Sequence, residues 1–143
     1  MYKYDHCKIV RVIDGDTFDI EFDLGFKIKT IWNTRLNGVD CPESYRPSCR
    51  GEAKFASEVN DFVEKILFGK EVVVTSYKIG VYSRYIIDIH YSDGENFVSL
   101  ADVIKEKCYT KQDLDCRKCE FFTTCEAKEK IYEKLKLRWK ESE

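Results

Sequence analysis

A change in hydrophobic period limits this chain more than any other feature. From Thr17 to Leu24, Phe18, Ile20, Phe22 and Leu24 alternate with Thr17, Asp19, Glu21 and Asp23, the two-residue repeat of a strand with one wet face. Before it, the β-branched stretch Lys8 to Ile13 stops at Asp14-Gly15-Asp16, a turn signal. After Gly25, the stretch Phe26 to Leu36 puts Ile28, Thr30, Trp32, Thr34 and Leu36 on one face. Lys27, Lys29, Asn33 and Arg35 fall on the other. Three strands with short turns predict an antiparallel meander. The period then lengthens. Phe55, Val59, Phe62, Val63, Ile66 and Leu67 recur at three- and four-residue steps, predicting an amphipathic helix from Gly51 to Phe68 with Gly69 as its stop. Strand periodicity returns at Val72–Val74 and again at Tyr85–Tyr91.

Strand, strand, strand, helix, strand, strand is the connectivity of a five-stranded barrel of the oligonucleotide/oligosaccharide-binding (OB) type. The fold class expected is therefore α+β, mainly β, with three helices. Ser99 caps a short second helix running to about Lys107. The third runs from about Glu126, where Ala127, Ile131, Leu135 and Trp139 stand four apart. A chain of 143 residues suits one domain, here 1–143, interrupted only by a cysteine-rich insert at about 108–125.

Charge excludes little: Lys+Arg of 24 against Asp+Glu of 26 gives a net charge of −2. The balance argues against a strongly basic coat but leaves room for a local cationic site. No apolar run approaches the length of a membrane span, so no membrane partner is expected. Met1 to His6 holds no apolar signal core, so the chain as it stands reads as cytoplasmic, with secretion after removal of a signal left open. A monomer is expected. In a reducing compartment, an odd count of seven cysteines fits a metal site better than a full disulfide scaffold.

Two polar stretches carry the chemistry. Val12-Ile13-Asp14-Gly15-Asp16-Thr17 places carboxylates where one strand turns into the next. Arg35-Leu36-Asn37-Gly38-Val39-Asp40-Cys41-Pro42-Glu43 leaves the third strand. Hard carboxylate oxygens suit Ca²⁺, and Pro42 stiffens the loop. Either stretch alone is ordinary, because Asp-Gly turns are common and a strand-end Arg often pairs with a surface acid.

Together, with Gly51-Glu52-Ala53 opening the helix and Tyr82-Ser83-Arg84 leading the fifth strand, they resemble the staphylococcal nuclease (thermonuclease) family. The resemblance covers roughly 8–107 and 126–140 with gaps. It implies the same barrel and a Ca²⁺-dependent hydrolysis of phosphodiester bonds in DNA, RNA or both. Asp16 and Asp40 match the family's carboxylate ligands for Ca²⁺. Cys41 stands where threonine is usual and where only a backbone carbonyl is required. Glu43 matches the carboxylate that positions or deprotonates water, and Arg35 and Arg84 match the two guanidinium groups on the phosphate. Tyr82 is a candidate substrate contact, as is Tyr109 at the groove. Ser83 departs from the family's usual glycine, and the pattern is lost after Cys108. Two other readings remain open: a nucleic-acid-binding module without catalysis, and a metal or redox sensor built on the cysteines.

Cys108, Cys116, Cys119 and Cys125 follow a Cys-x7-Cys-x2-Cys-x5-Cys spacing. A Cys-x2-Cys pair aims two thiolates at one ion and two more complete a tetrahedron, with Zn²⁺ the default. The Cys-x2-Cys-x5-Cys run also resembles the iron–sulfur anchors of some nucleases, which keeps an iron–sulfur cluster open. Disulfides in an exported protein, or free thiols, are the plainer alternatives. Elemental analysis of anaerobically purified protein is expected to find bound zinc or iron. Absence of both metals, with unchanged stability in Cys116→Ser and Cys119→Ser, contradicts the site.

Overall fold

The fold was read from a computed structural model that describes residues 1–47, 50–79 and 84–114. The elements run β1 (Tyr2–Asp14), β2 (Thr17–Asp23), β3 (Lys29–Leu36), α1 (Arg50–Leu67), β4 (Glu71–Ile79), β5 (Tyr85–Ser92), β6 (Phe97–Ser99), α2 (Leu100–Glu106) and α3 (Lys111–Leu114). The sheet order is β3-β2-β1-β4-β5-β6, and β3 also pairs with β5, which closes five strands into a barrel. That closing pair is parallel, with Thr34, Arg35 and Leu36 opposite Tyr85, Ile86 and Ile87. The other four ring pairings are antiparallel, so the barrel is mixed.

The period-two faces turn inward as their spacing dictates. Phe18 and Ile20 from β2, Val72 and Val74 from β4, and Ile87 and Ile89 from β5 are fully buried. Each such side chain contributes roughly 1.5–3 kcal/mol through the water it sheds. The helix α1 seals one side of this core with Phe55, Val59 and Val63, and α2 adds Leu100 and Ile104.

Several sequence expectations need correction. Leu24 leaves the inward face and is 47% exposed, because β2 ends at Asp23 and the chain turns through Gly25, Phe26 and Lys27 with positive φ. β3 accordingly starts at Lys29 rather than Phe26. Trp32 shares a face with buried Thr34 and Leu36 but is half-exposed and meets Tyr85 edge-on at 5.3 Å. A sixth strand, β6, pairs with β5 outside the ring. Ser99 does occupy the cap position of α2, but its side chain makes no capping hydrogen bond. Among the described residues there are two full helices, and α3 is a single helical turn. The helix expected from Glu126 lies outside the described residues. No described helix is long and apolar enough to cross a membrane.

The β1–β2 turn is packed directly onto α1. A Cβ placed on Gly15 would sit 2.6 Å from Val59 Cγ1 and 2.9 Å from Cys41 Sγ. Glycine is needed there for space. Gly15→Ala is expected to lower unfolding stability by about 1–3 kcal/mol through overpacking, measured by urea denaturation. An unchanged midpoint would show that the contact gives way at no cost.

Candidate active site

The site grows from the β1–β2 turn. The register pairs Thr17 with Arg35 across β2 and β3, bringing the end of β3 alongside the turn. Leu36 N–H donates to the Asp16 carbonyl at 2.8 Å and locks that approach. Arg35 is then held between two carboxylates: its Nη2 lies 3.5 Å from Asp16 Oδ2 and 3.3 Å from Asp40 Oδ1. Among the described residues these contacts run through Nη2 alone, so Nε and Nη1 remain as donors.

Asp16 is buried at 3% exposure. Its Oδ2 accepts the Cys41 N–H at 2.9 Å and its Oδ1 accepts the Thr17 hydroxyl at 3.0 Å. Burial nevertheless pushes its carboxyl above the ordinary aspartate range, against the lowering effects of the Cys41 N–H, Arg35 and Thr17. Asp40 is largely exposed. Cys41 is buried, and burial raises its thiol far above the ordinary value. It is therefore an inert packing group rather than a nucleophile.

Two residues that carried no role in the sequence reading hold the loop after Asp40. Asp14 Oδ1 accepts both the Ser44 N–H at 2.9 Å and the Ser44 hydroxyl at 2.6 Å. Lys111 donates its backbone N–H to the Asp40 carbonyl at 2.6 Å. Its ammonium lies 3.6 Å from Glu43 Oε1 and 3.8 Å from Glu52 Oε2. Burial opposes the Lys111 charge, but Glu52, Glu43 and Asp40 together outweigh it and raise its pKa. No local sequence pattern announces either tie, because both join residues far apart in the chain.

Asp16, Arg35, Glu43 and Arg84 all line one open groove of about 580 Å³, with Tyr45 and Arg46 on its wall. Tyr109 does not reach it. Its ring is buried, packed edge-on against Phe62 at 4.9 Å and Phe55 at 6.3 Å, so it belongs to the core. Tyr82 lies outside the described residues, as do Cys116, Cys119 and Cys125. Cys108 is half-buried on left-handed backbone after α2 and has no disulfide partner among the described residues.

Among the described residues no group of three or more His, Cys, Asp or Glu side chains is placed to hold a metal. The donors that do converge are two carboxylates, Asp16 and Asp40, on one cationic nitrogen, with the Cys41 backbone beside them. These are hard oxygens around a point that already accepts positive charge. The set fits a calcium-type ion that completes its shell with water.

A family model described as staphylococcal nuclease homologue matches residues 33–107. An uncharacterized protein of Methanocaldococcus jannaschii is 25% identical over 129 residues, covering 77% of this chain and 60% of that protein. An uncharacterized endonuclease of Escherichia coli O157:H7 is 28% identical over 91 residues, covering 64% of this chain and 52% of that protein. The chain thus spans little more than half the length of these relatives.

The raised carboxyl of Asp16 has a measurable consequence. In chelator, its contribution to stability is complete below the pKa of an unfolded aspartate, about 3.9. It is lost as pH climbs through the higher folded-state value, because the folded protein holds the proton more tightly. Asp16→Asn is therefore expected to melt higher than the wild type at pH 7 in chelator, and to lack that part of the pH dependence. A lower melting temperature for the variant under those conditions contradicts the assignment.

Proposed function

The chain belongs to the staphylococcal nuclease homologue family, and from that footing we propose that it is a Ca²⁺-dependent nuclease hydrolysing phosphodiester bonds in DNA or RNA. The observation that carries the reading is the single groove that presents Arg35, Glu43 and Arg84 beside the Asp16–Asp40 pair. A phosphodiester is already anionic, and in-line attack by water concentrates charge on its equatorial oxygens. Arg35 offers Nε and Nη1 to those oxygens in a planar fork, and Arg84 brings a second guanidinium from the start of β5. Glu43, in a loop held at Ser44 by Asp14, takes the proton from the attacking water as its oxygen bonds to phosphorus. Asp16, Asp40 and the Cys41 carbonyl would hold the ion, which when bound would add positive charge against the phosphate. The leaving oxygen departs opposite the attacking water.

Catalysis is favoured over plain binding, because a module that only holds a polyanion has no use for the Glu43 carboxylate in the same groove as Arg35 and Arg84. The net charge of −2 means that long-range attraction of the polyanion is weak, and capture falls to the local arginines.

Digestion of single-stranded DNA and RNA is expected in Ca²⁺ and to vanish in chelator. Arg35→Ala and Arg84→Ala are each expected to lose about 10²–10³ in kcat, the usual scale for one transition-state donor. Glu43→Gln should be slow yet fold normally. Equal cleavage with Ca²⁺ and with chelator contradicts the role of the ion. No cleavage under any condition moves the reading to a binding module.

A further inference from the structure

Among the described residues, those that follow α2 contribute nothing to the groove wall, yet they touch the loop that does. Thr110 fixes the turn: its N–H and its hydroxyl both reach Asp113 Oδ2, at 3.0 and 2.8 Å. This presents Lys111 to the Asp40–Glu43 loop through two different groups. The backbone N–H grips the Asp40 carbonyl at 2.6 Å, and the ammonium faces Glu43 Oε1 at 3.6 Å. Behind the ammonium stands Glu52, in the first turn of α1 and 1% exposed.

We propose that Lys111 is a positioning residue for Glu43, its ammonium anchored on the buried Glu52 so that the Glu43 carboxylate is held at the groove. The inference rests on the nuclease reading above. An ordinary surface lysine pair contributes little, because a long side chain must be immobilised to make it. Lys111 differs because its backbone is already fixed on Asp40 and a buried carboxylate keeps a cation at one place. Glu43 is then held from both sides. Its backbone is fastened through the neighbouring Ser44 to Asp14, and its side chain is steered by Lys111. That matters because a base displaced by about 1 Å from the attacking water loses on the order of 10²-fold in rate.

The test is a set of steady-state kinetics on the full chain with single-stranded DNA and Ca²⁺. Lys111→Met is expected to lower kcat roughly 10- to 100-fold while KM stays within about twofold, the pattern of misplacement rather than lost binding. Lys111→Arg is expected to recover most of the rate. In a Glu43→Gln background Lys111→Met should cost nothing further, because its effect passes through Glu43. Removing a cation beside buried Glu52 threatens folding. The comparison is therefore repeated as Glu52→Gln/Lys111→Met against Glu52→Gln/Lys111→Arg, with thermal melts to show that each is folded. Wild-type kcat in folded Lys111→Met, or an undiminished loss in the Glu43→Gln background, overturns the role of Lys111 while leaving the nuclease reading intact. A wild type that cleaves nothing overturns both.

Discussion

A carboxylate that has lost nearly all its water organises this end of the barrel. Asp16 at 3% exposure is tolerable only because donors from three stretches of chain are aimed at it: the Thr17 hydroxyl, the Cys41 N–H and the Arg35 guanidinium. Each donor fixes a piece of the site. Thr17 starts β2, Arg35 ends β3, and Cys41 lies in the loop leading to Glu43. Compensating one buried charge therefore aligns the turn, the strand end and the loop. Those contacts do not fully offset the burial, since the carboxyl remains harder to ionise than usual. In the proposed function a bound cation would offset that residual penalty, so binding and stability would pull against each other there.

The scaffold holds this arrangement by tight packing. Gly15 leaves no room for a side chain between Val59 of α1 and Cys41 of the loop, so helix, turn and loop behave as one packed unit. The inert thiol of Cys41 belongs to that packing. On the far side, α3 docks through Lys111 and connects the groove to the segment that leads into the remaining cysteines.

Much of this was legible in the sequence because it repeats. The α1 stripe of Phe55, Val59, Val63 and Leu67, and the alternations in β2 and β5, follow backbone geometry and fall inside as expected. Asp16, Arg35, Asp40 and Glu43 were legible through ordered motifs, and they do come together. The parallel closure of β3 on β5 leaves no periodic trace, and the three residues of β6 are too few to show one. Trp32 follows the inward pattern of β3 yet stays half-exposed where it meets Tyr85, since alternation says which face a residue takes but not how deeply it is covered. Tyr109 looks like a groove aromatic only until Phe55 and Phe62 are seen around it. The ties from Asp14 to Ser44 and from Lys111 to Glu43 and Glu52 join sites that no local window contains.

The most direct measurement is a crystal structure grown with Ca²⁺ and a short oligonucleotide, with anomalous data locating the ion. The account predicts one calcium about 2.3–2.6 Å from oxygens of Asp16, Asp40 and the Cys41 carbonyl. A phosphate should lie against Arg35 and Arg84, with Glu43 facing a water in line for attack. An ion bound elsewhere, or an oligonucleotide running over another face while this groove stays empty, would contradict it.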